Sequence, residues 1–139
     1  MDRTSLNQTA DLPVSTITEL LSFSCKRYAY SPAFTHAGAT LNYQELDRLS
    51  THFASYIQHY TALEKDDRIA LLLPNVLQFP VVLFGALKAG LVVVNLNPQF
   101  TAYELQRQMQ DSEVKAAVVL SHMTASLEEV INTTSLQKV

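Results

Sequence analysis

The sequence predicts an α/β fold: a parallel sheet with flanking helices (a βαβαβα unit), preceded by an N-terminal helix and a β-hairpin. Three observations predict it. The runs 68–74, 91–97 and 115–121 are almost continuously apolar, as expected of strands covered on both faces. Helix-length segments separate them and follow the last. Such alternation implies parallel strands joined by right-handed crossovers, with helices packed on the sheet.

Each element can be justified in order. Residues 1–13 are polar, carry an acidic residue and have no apolar core, so they read as a flexible arm and not a signal peptide. From Thr16, residues Ile17, Leu20, Leu21, Ser24 and Tyr28 recur at helical spacing. Thr16 and Glu19 make a capping box at its start, and Ser31-Pro32 closes it. Two short segments around Ala37-Gly38 predict a hairpin. Asn42 and Glu45 then open a helix to about Tyr60, with Leu46, Leu49, Phe53, Ile57 and Tyr60 on its apolar face.

Lys65-Asp66-Asp67 is expected to be a solvated connection into the first parallel strand. The next helix contains Pro80, which is not tolerated deep inside, so it should start near Pro80 or have an irregular first turn. Gly90 is the expected left-handed residue at its end, returning the chain directly into the second strand. Thr101 and Glu104 form another capping box, for a more polar helix ending around Asp111. The third strand is followed by a helix expected over 124–133, and Leu136 to Val139 read as the opening of a fourth strand. Because the sequence stops there, it is expected to be a truncated piece.

Composition limits function. The 139 residues suit one domain, which buries roughly 70% of its unfolded surface. Only 17% are charged while 47% are hydrophobic, against about 25% charged in a typical soluble domain. Polar covering is short, so either the domain has sticky faces or part of its cover is missing. With net charge −3 and no basic stripe, nucleic acid is not an expected partner. Cys25 is the single cysteine, which excludes an internal disulfide and fits a reducing cytoplasm. Residues 69–87 carry no charge, but Pro74, Asn75, Gln78 and Pro80 interrupt them, so strand, turn and helix is a better parse than a membrane span.

In open α/β sheets, ligands sit at the carboxyl ends of the strands. The candidates there are Pro74-Asn75, Asn95 to Pro98, and Ser121-His122. Asn95 and Asn97 could bond a ligand, or could simply build a turn and satisfy nearby backbone. None of the three glycines, Gly38, Gly85 and Gly90, has the place or spacing of a phosphate loop. No carboxylate ends a strand. His36, His52, His59 and His122 are dispersed; His52 and His59 share a helix, but two turns, roughly 10 Å, are too far for one metal. Nothing around Cys25 argues for an activated thiol. The residues alone therefore yield no catalytic, cofactor-binding or metal-binding assignment.

Longer motifs carry more. "TLNYQELDRLS", 40–50, resembles the first core motif of the adenylate-forming superfamily through Tyr43, Glu45 and Leu46. "LKAGLVVVNLNP", 87–98, resembles its second core motif. The intervening strand and helix, and "NPQFTAYELQRQMQDSEVKAAVVLS" after them, are similar to bacterial long-chain fatty acid–CoA ligases (acyl-CoA synthetases). The resemblance covers the chain from about Thr16, and Pro80 is its one noted departure.

The resemblance implies that 14–139 is an incomplete N-terminal subdomain of an AMP-forming acyl-CoA synthetase. It implies a parent enzyme joining fatty acid, ATP and CoA into acyl-CoA, AMP and pyrophosphate through an acyl-adenylate, with Mg²⁺. The family's phosphate loop, metal carboxylate, ribose carboxylate and catalytic lysine all lie downstream, so the chain alone is expected to be inactive. Leu41–Leu46 and Leu87–Pro98 carry over as scaffold only. Implied partners are the remainder of the parent chain, its substrates, and other copies through exposed apolar surface. The implied location is cytoplasmic, peripheral at the membrane. A free-standing α/β binding or interaction module of the same fold is the alternative.

Overall fold

The computed structural model describes residues 14–136. The proposed arm at 1–13 and Gln137 to Val139 of the expected fourth strand lie outside the described residues. Helix α1 spans Ile17–Arg27, and the Thr16–Glu19 capping box is formed in both directions. Strands β1, Pro32–His36, and β2, Ala39–Asn42, pair as an antiparallel hairpin. Its two-residue turn has Ala37 at φ 49° and Gly38 at φ 81°, the twist that joins antiparallel strands closely. Asn42 then caps α2, Tyr43–Tyr60, with Glu45 completing the box. One residue thus ends a strand and starts a helix.

The second sheet holds β3, Arg68–Leu72, β4, Val92–Asn95, and β5, Ala116–Val119, all parallel, with β3 central. Between them run α3, Gln78–Lys88, and α4, Ala102–Ser112. The central strand sends alternate side chains to two layers. Ile69 and Leu71 meet Phe53 and Ile57 of α2 and Val82 and Ala86 of α3. Ala70 and Leu72 meet Leu105 and Met109 of α4. Each such leucine, fully buried, contributes about 1.5–3 kcal/mol. A further cluster joins α1 and the hairpin to α2 through Leu21, Cys25, Leu41 and Leu46.

Several expectations are corrected. Only β3 is buried along most of its length, from Ile69 to Leu72. β4 exposes Val92 and Asn95, and β5 is half-buried at Val118 and Val119, because among the described residues each pairs on one side only. A uniform apolar run does not distinguish a central from an edge strand. Tyr60 leaves the apolar face of α2 and stacks on Tyr56 in solvent, while Ser50 and Ala54, further back along the helix, are buried. In α1 the inward stripe is Leu21 and Cys25, while Ile17, Leu20 and Tyr28 are exposed. Asp67 is partly covered and bonded where the sequence suggested only a solvated connection: it accepts from the Glu64 amide at 2.8 Å and from Lys115 at 2.6 Å.

Pro80 sits in the first turn of α3, where its missing N–H leaves no helical bond unmade. At the other end Gly90, φ +85°, completes the expected stop: Gly90 and Leu91 donate to Leu87 and Ala86 at 3.1 and 3.0 Å. The helix expected over 124–133 is shorter. α5 covers Thr124–Glu128, followed by a separate 3₁₀ turn at Ile131–Thr133. Hydroxyls of Thr133 and Thr134 take the carbonyls of Val130 and Ile131, competing with continued helix.

Candidate functional site

The carboxyl rim of the parallel sheet is the candidate region. Because β3 is central, Pro74-Asn75 emerges between the ends of β4 and β5. Asn97 builds its turn: its side chain accepts the Gln99 amide at 3.0 Å, and its carbonyl accepts Phe100 at 3.1 Å. Asn95 is exposed, and by strand alternation it shares the α3 side of the sheet with Val93. Ser121 and His122 lie exposed in a 3₁₀ turn, where the Ser121 carbonyl accepts the Thr124 hydroxyl. Asn97 is therefore a turn builder, while Asn95 stays available to solvent.

These residues do not converge. Asn75 lines a groove of about 370 Å³ with His36, Phe34, Leu77 and Phe79. That pairing of hairpin and rim joins residues 39 positions apart, and no local sequence signal announces it. Ser121 belongs instead to a groove of about 350 Å³ between α2 and β5, with Phe53, Ile57, Leu63 and Val118. His52, His59 and His122 are exposed and apart; the His59 Nδ1 pairs with the carbonyl and the hydroxyl of Ser55 on its own helix. Among the described residues no group of three or more His, Cys, Asp or Glu could hold a metal.

Electrostatics agree. Burial, with a contribution from Asp47, pushes the Cys25 thiol above its ordinary range, away from thiolate chemistry. Amides of Ser15 and Thr101 hold Glu19 and Glu104 below the usual carboxylate range, as helix-capping groups. The Glu64 amide and then Lys115 do the same for Asp67. Asp67 and Lys115 precede β3 and β5, at the amino end of the sheet and opposite the candidate rim. The groups with shifted values are thus structural.

What the chain does carry is sequence in a particular order on this frame. The two motifs fall on its joints: Leu41 to Leu46 connects hairpin to α2, and Leu87 to Pro98 runs from α3 through β4. The family model for AMP-binding enzymes matches residues 21–139. The chain belongs to the AMP-binding enzyme family. It is 43% identical over 123 residues to the long-chain-fatty-acid–CoA ligase of Salmonella typhimurium, covering 88% of this chain and 22% of that protein. The Yersinia pestis ligase of the same name is 41% identical over 125 residues, covering 90% and 22%. The chain thus spans about a fifth of these relatives' length.

A benzoate CoA ligase from Burkholderia xenovorans LB400 superposes with a TM-score of 0.81 at 21% identity, over 90% of this chain and 25% of that one. At that identity the likeness speaks for the fold alone.

Proposed function

We propose that this chain is the N-terminal part of an ATP-dependent long-chain fatty acid–CoA ligase. The observation that carries this is the 43% identity to such ligases across 88% of the chain. In this reading 14–139 is an incomplete subdomain, 1–13 an arm, and the partner is the rest of the ligase. The whole enzyme takes fatty acid, ATP with Mg²⁺, and CoA, and forms the acyl-CoA through an acyl-adenylate. Phosphate charge must be held and the carboxylate positioned in such a reaction. In this reading the part of residues 14–139 is to support the elements that do both. Exposed Ile17, Leu20, Phe23 and Val92 are surfaces for the missing cover or for other copies. The location that fits is cytoplasmic and peripheral to the membrane; no helix among the described residues is long and apolar enough to cross one.

Reading the native coding sequence past Val139 tests the proposal. An open frame that soon encodes a Ser/Thr/Gly-rich phosphate loop supports it, and its product should form acyl-CoA from fatty acid, ATP, Mg²⁺ and CoA. A stop codon directly after Val139 would overturn it and leave a free-standing interaction module.

A further inference from the structure

Two surface grooves meet at one residue. The first, about 250 Å³, is apolar and lies between α1, the hairpin and α3, with Leu20, Leu21, Phe34, Leu46 and Phe84 on its walls. The second, about 340 Å³, is lined by Thr16, Thr18, Lys65 and Asp66 alongside Leu87 and Gly90. Ile17 lines both. Phe84 and Leu87 are neighbours on one face of α3, as Ile17 and Leu20 are on α1, so the apolar groove runs on into the polar one. From Ser24 back to Ile17 the α1 wall is about 10 Å long.

The walls are apolar and yet open. Ile17 is 60% exposed, Leu20 38% and Phe34 40%. An unmatched charge stands at the polar end. Lys88, Lys115, Arg68 and Arg107 each have a carboxylate partner, and Arg27 lies over the rings of Phe23 and Tyr28. Lys65 is exposed and pairs with no carboxylate among the described residues. An alkyl chain gains by leaving water in proportion to the apolar area covered, and a carboxylate gains from a cation within reach. A groove that is apolar along its length and ends on an ammonium is complementary to a molecule with both parts.

We infer that this continuous groove binds a long-chain fatty acid, its alkyl chain between α1, the hairpin and Phe84 and its carboxylate at Lys65. Asp66 lines the same mouth, so its charge opposes the head group and weakens the hold. Lys65 precedes β3 and Gly90 precedes β4, which puts the head at the amino end of the sheet, opposite the carboxyl rim. Binding there calls for no reaction, so the inference stands or falls apart from the ligase reading. It gives exposed Ile17 and Leu20 an occupant.

Titration of the 139-residue chain with cis-parinaric acid, a fluorescent long-chain fatty acid, tests it below the micelle concentration. Binding should saturate. Lys65→Met should weaken the acid roughly threefold, as for an exposed charge pair, and leave competition by an uncharged long-chain alcohol unchanged. Asp66→Asn should tighten the acid by a similar factor. Leu20→Asp puts a charge against the alkyl chain and should weaken it tenfold or more, with circular dichroism checking that the variant folds. Stearate carrying a nitroxide locates the ligand without any variant. A label near the carboxylate should broaden the amide resonances of Thr18 and Lys65, and one near the methyl end those of Ser24 and Phe34. An absence of saturable binding overturns the inference, as does equal affinity of the acid for the parent and Lys65→Met. Labels that broaden the groove between α2 and β5 instead would also overturn it, leaving the α1 face to the missing cover or a second copy.

Discussion

A Cβ built on Gly85 would lie 2.8 Å from the Ser50 carbonyl oxygen and 2.8 Å from Cδ1 of Phe53. Helices α3 and α2 therefore meet almost backbone to backbone, and this contact sets how closely both pack over β3. An alanine in a helix interior is ordinarily better than glycine by about 1 kcal/mol. Here a carbonyl that cannot rotate away opposes it, and overpacking of that kind costs about 1–3 kcal/mol. Gly85→Ala should destabilise by on the order of 1 kcal/mol net, and Gly85→Val by more. Urea unfolding of the three proteins checks this; an alanine variant more stable than the parent would contradict it.

Three residues further on, Lys88 reaches back across the same junction. Its Nζ donates to the Asp47 carboxylate at 2.7 Å, to the Asp47 carbonyl at 3.1 Å and to the Thr51 hydroxyl at 2.9 Å. The ammonium is mostly covered but Asp47 is half exposed, so solvent screens the charge pair. Lys88→Met keeps much of the stem packing and removes all three bonds. The expected loss is about 1 kcal/mol. Asp47→Asn, which leaves the carbonyl and Thr51 in place, should lose less. Equal losses in denaturant titrations would mean that the charge pair alone matters.

How legible was this architecture beforehand? Capping residues are local, so Thr16, Asn42 and Thr101 could be read with their glutamates three residues on, and all three boxes form. The order of strands and helices was legible for the same reason. Burial by partner choice was not. Val92 and Ile69 occupy similar apolar runs, yet one is 44% exposed and the other 1%, because only topology puts β3 in the middle. Tyr60 fits the helical stripe of α2 but lies beyond the end of the surface it would cover. At the rim, Asn97 was readable as a turn residue, whereas the meeting of His36 with Asn75 needed the fold.

Gly90 offers a test of the joint between α3 and β4. Its φ of +85° is strained for residues with a side chain, and an added Cβ would approach Lys65 Cγ at 3.3 Å. The lysine stem can move aside, so backbone strain dominates. Gly90→Ala is expected to cost about 1–2 kcal/mol, the usual left-handed penalty. Gly90→Asn should recover part of that, since asparagine tolerates the conformation better. Thermal melts resolve the order; if alanine and asparagine were indistinguishable from glycine, the stop would not depend on that conformation.

The last prediction concerns pH and rests on Asp67. Its carboxylate is held below its ordinary value of 3.8, first by the Glu64 amide and then by Lys115. A depressed carboxylate contributes stability that is complete above the unfolded value and disappears as pH falls through the folded one. Glu19 and Glu104, held below 4.5, act in the same direction. Lys115 is raised above 10.5, chiefly by Asp67, so its contribution is complete below 10.5 and is lost only above that. Between these limits the four groups give no slope. Asp67→Asn keeps an acceptor for the Glu64 amide but removes the titrating charge. Compared at about pH 7 and about pH 3.5, the parent should lose more stability than the variant. The variant should still decline, because Glu19 and Glu104 remain. Identical losses in urea midpoints would show that Asp67 titrates alike in folded and unfolded chains, and that its bonds do not distinguish its charge states.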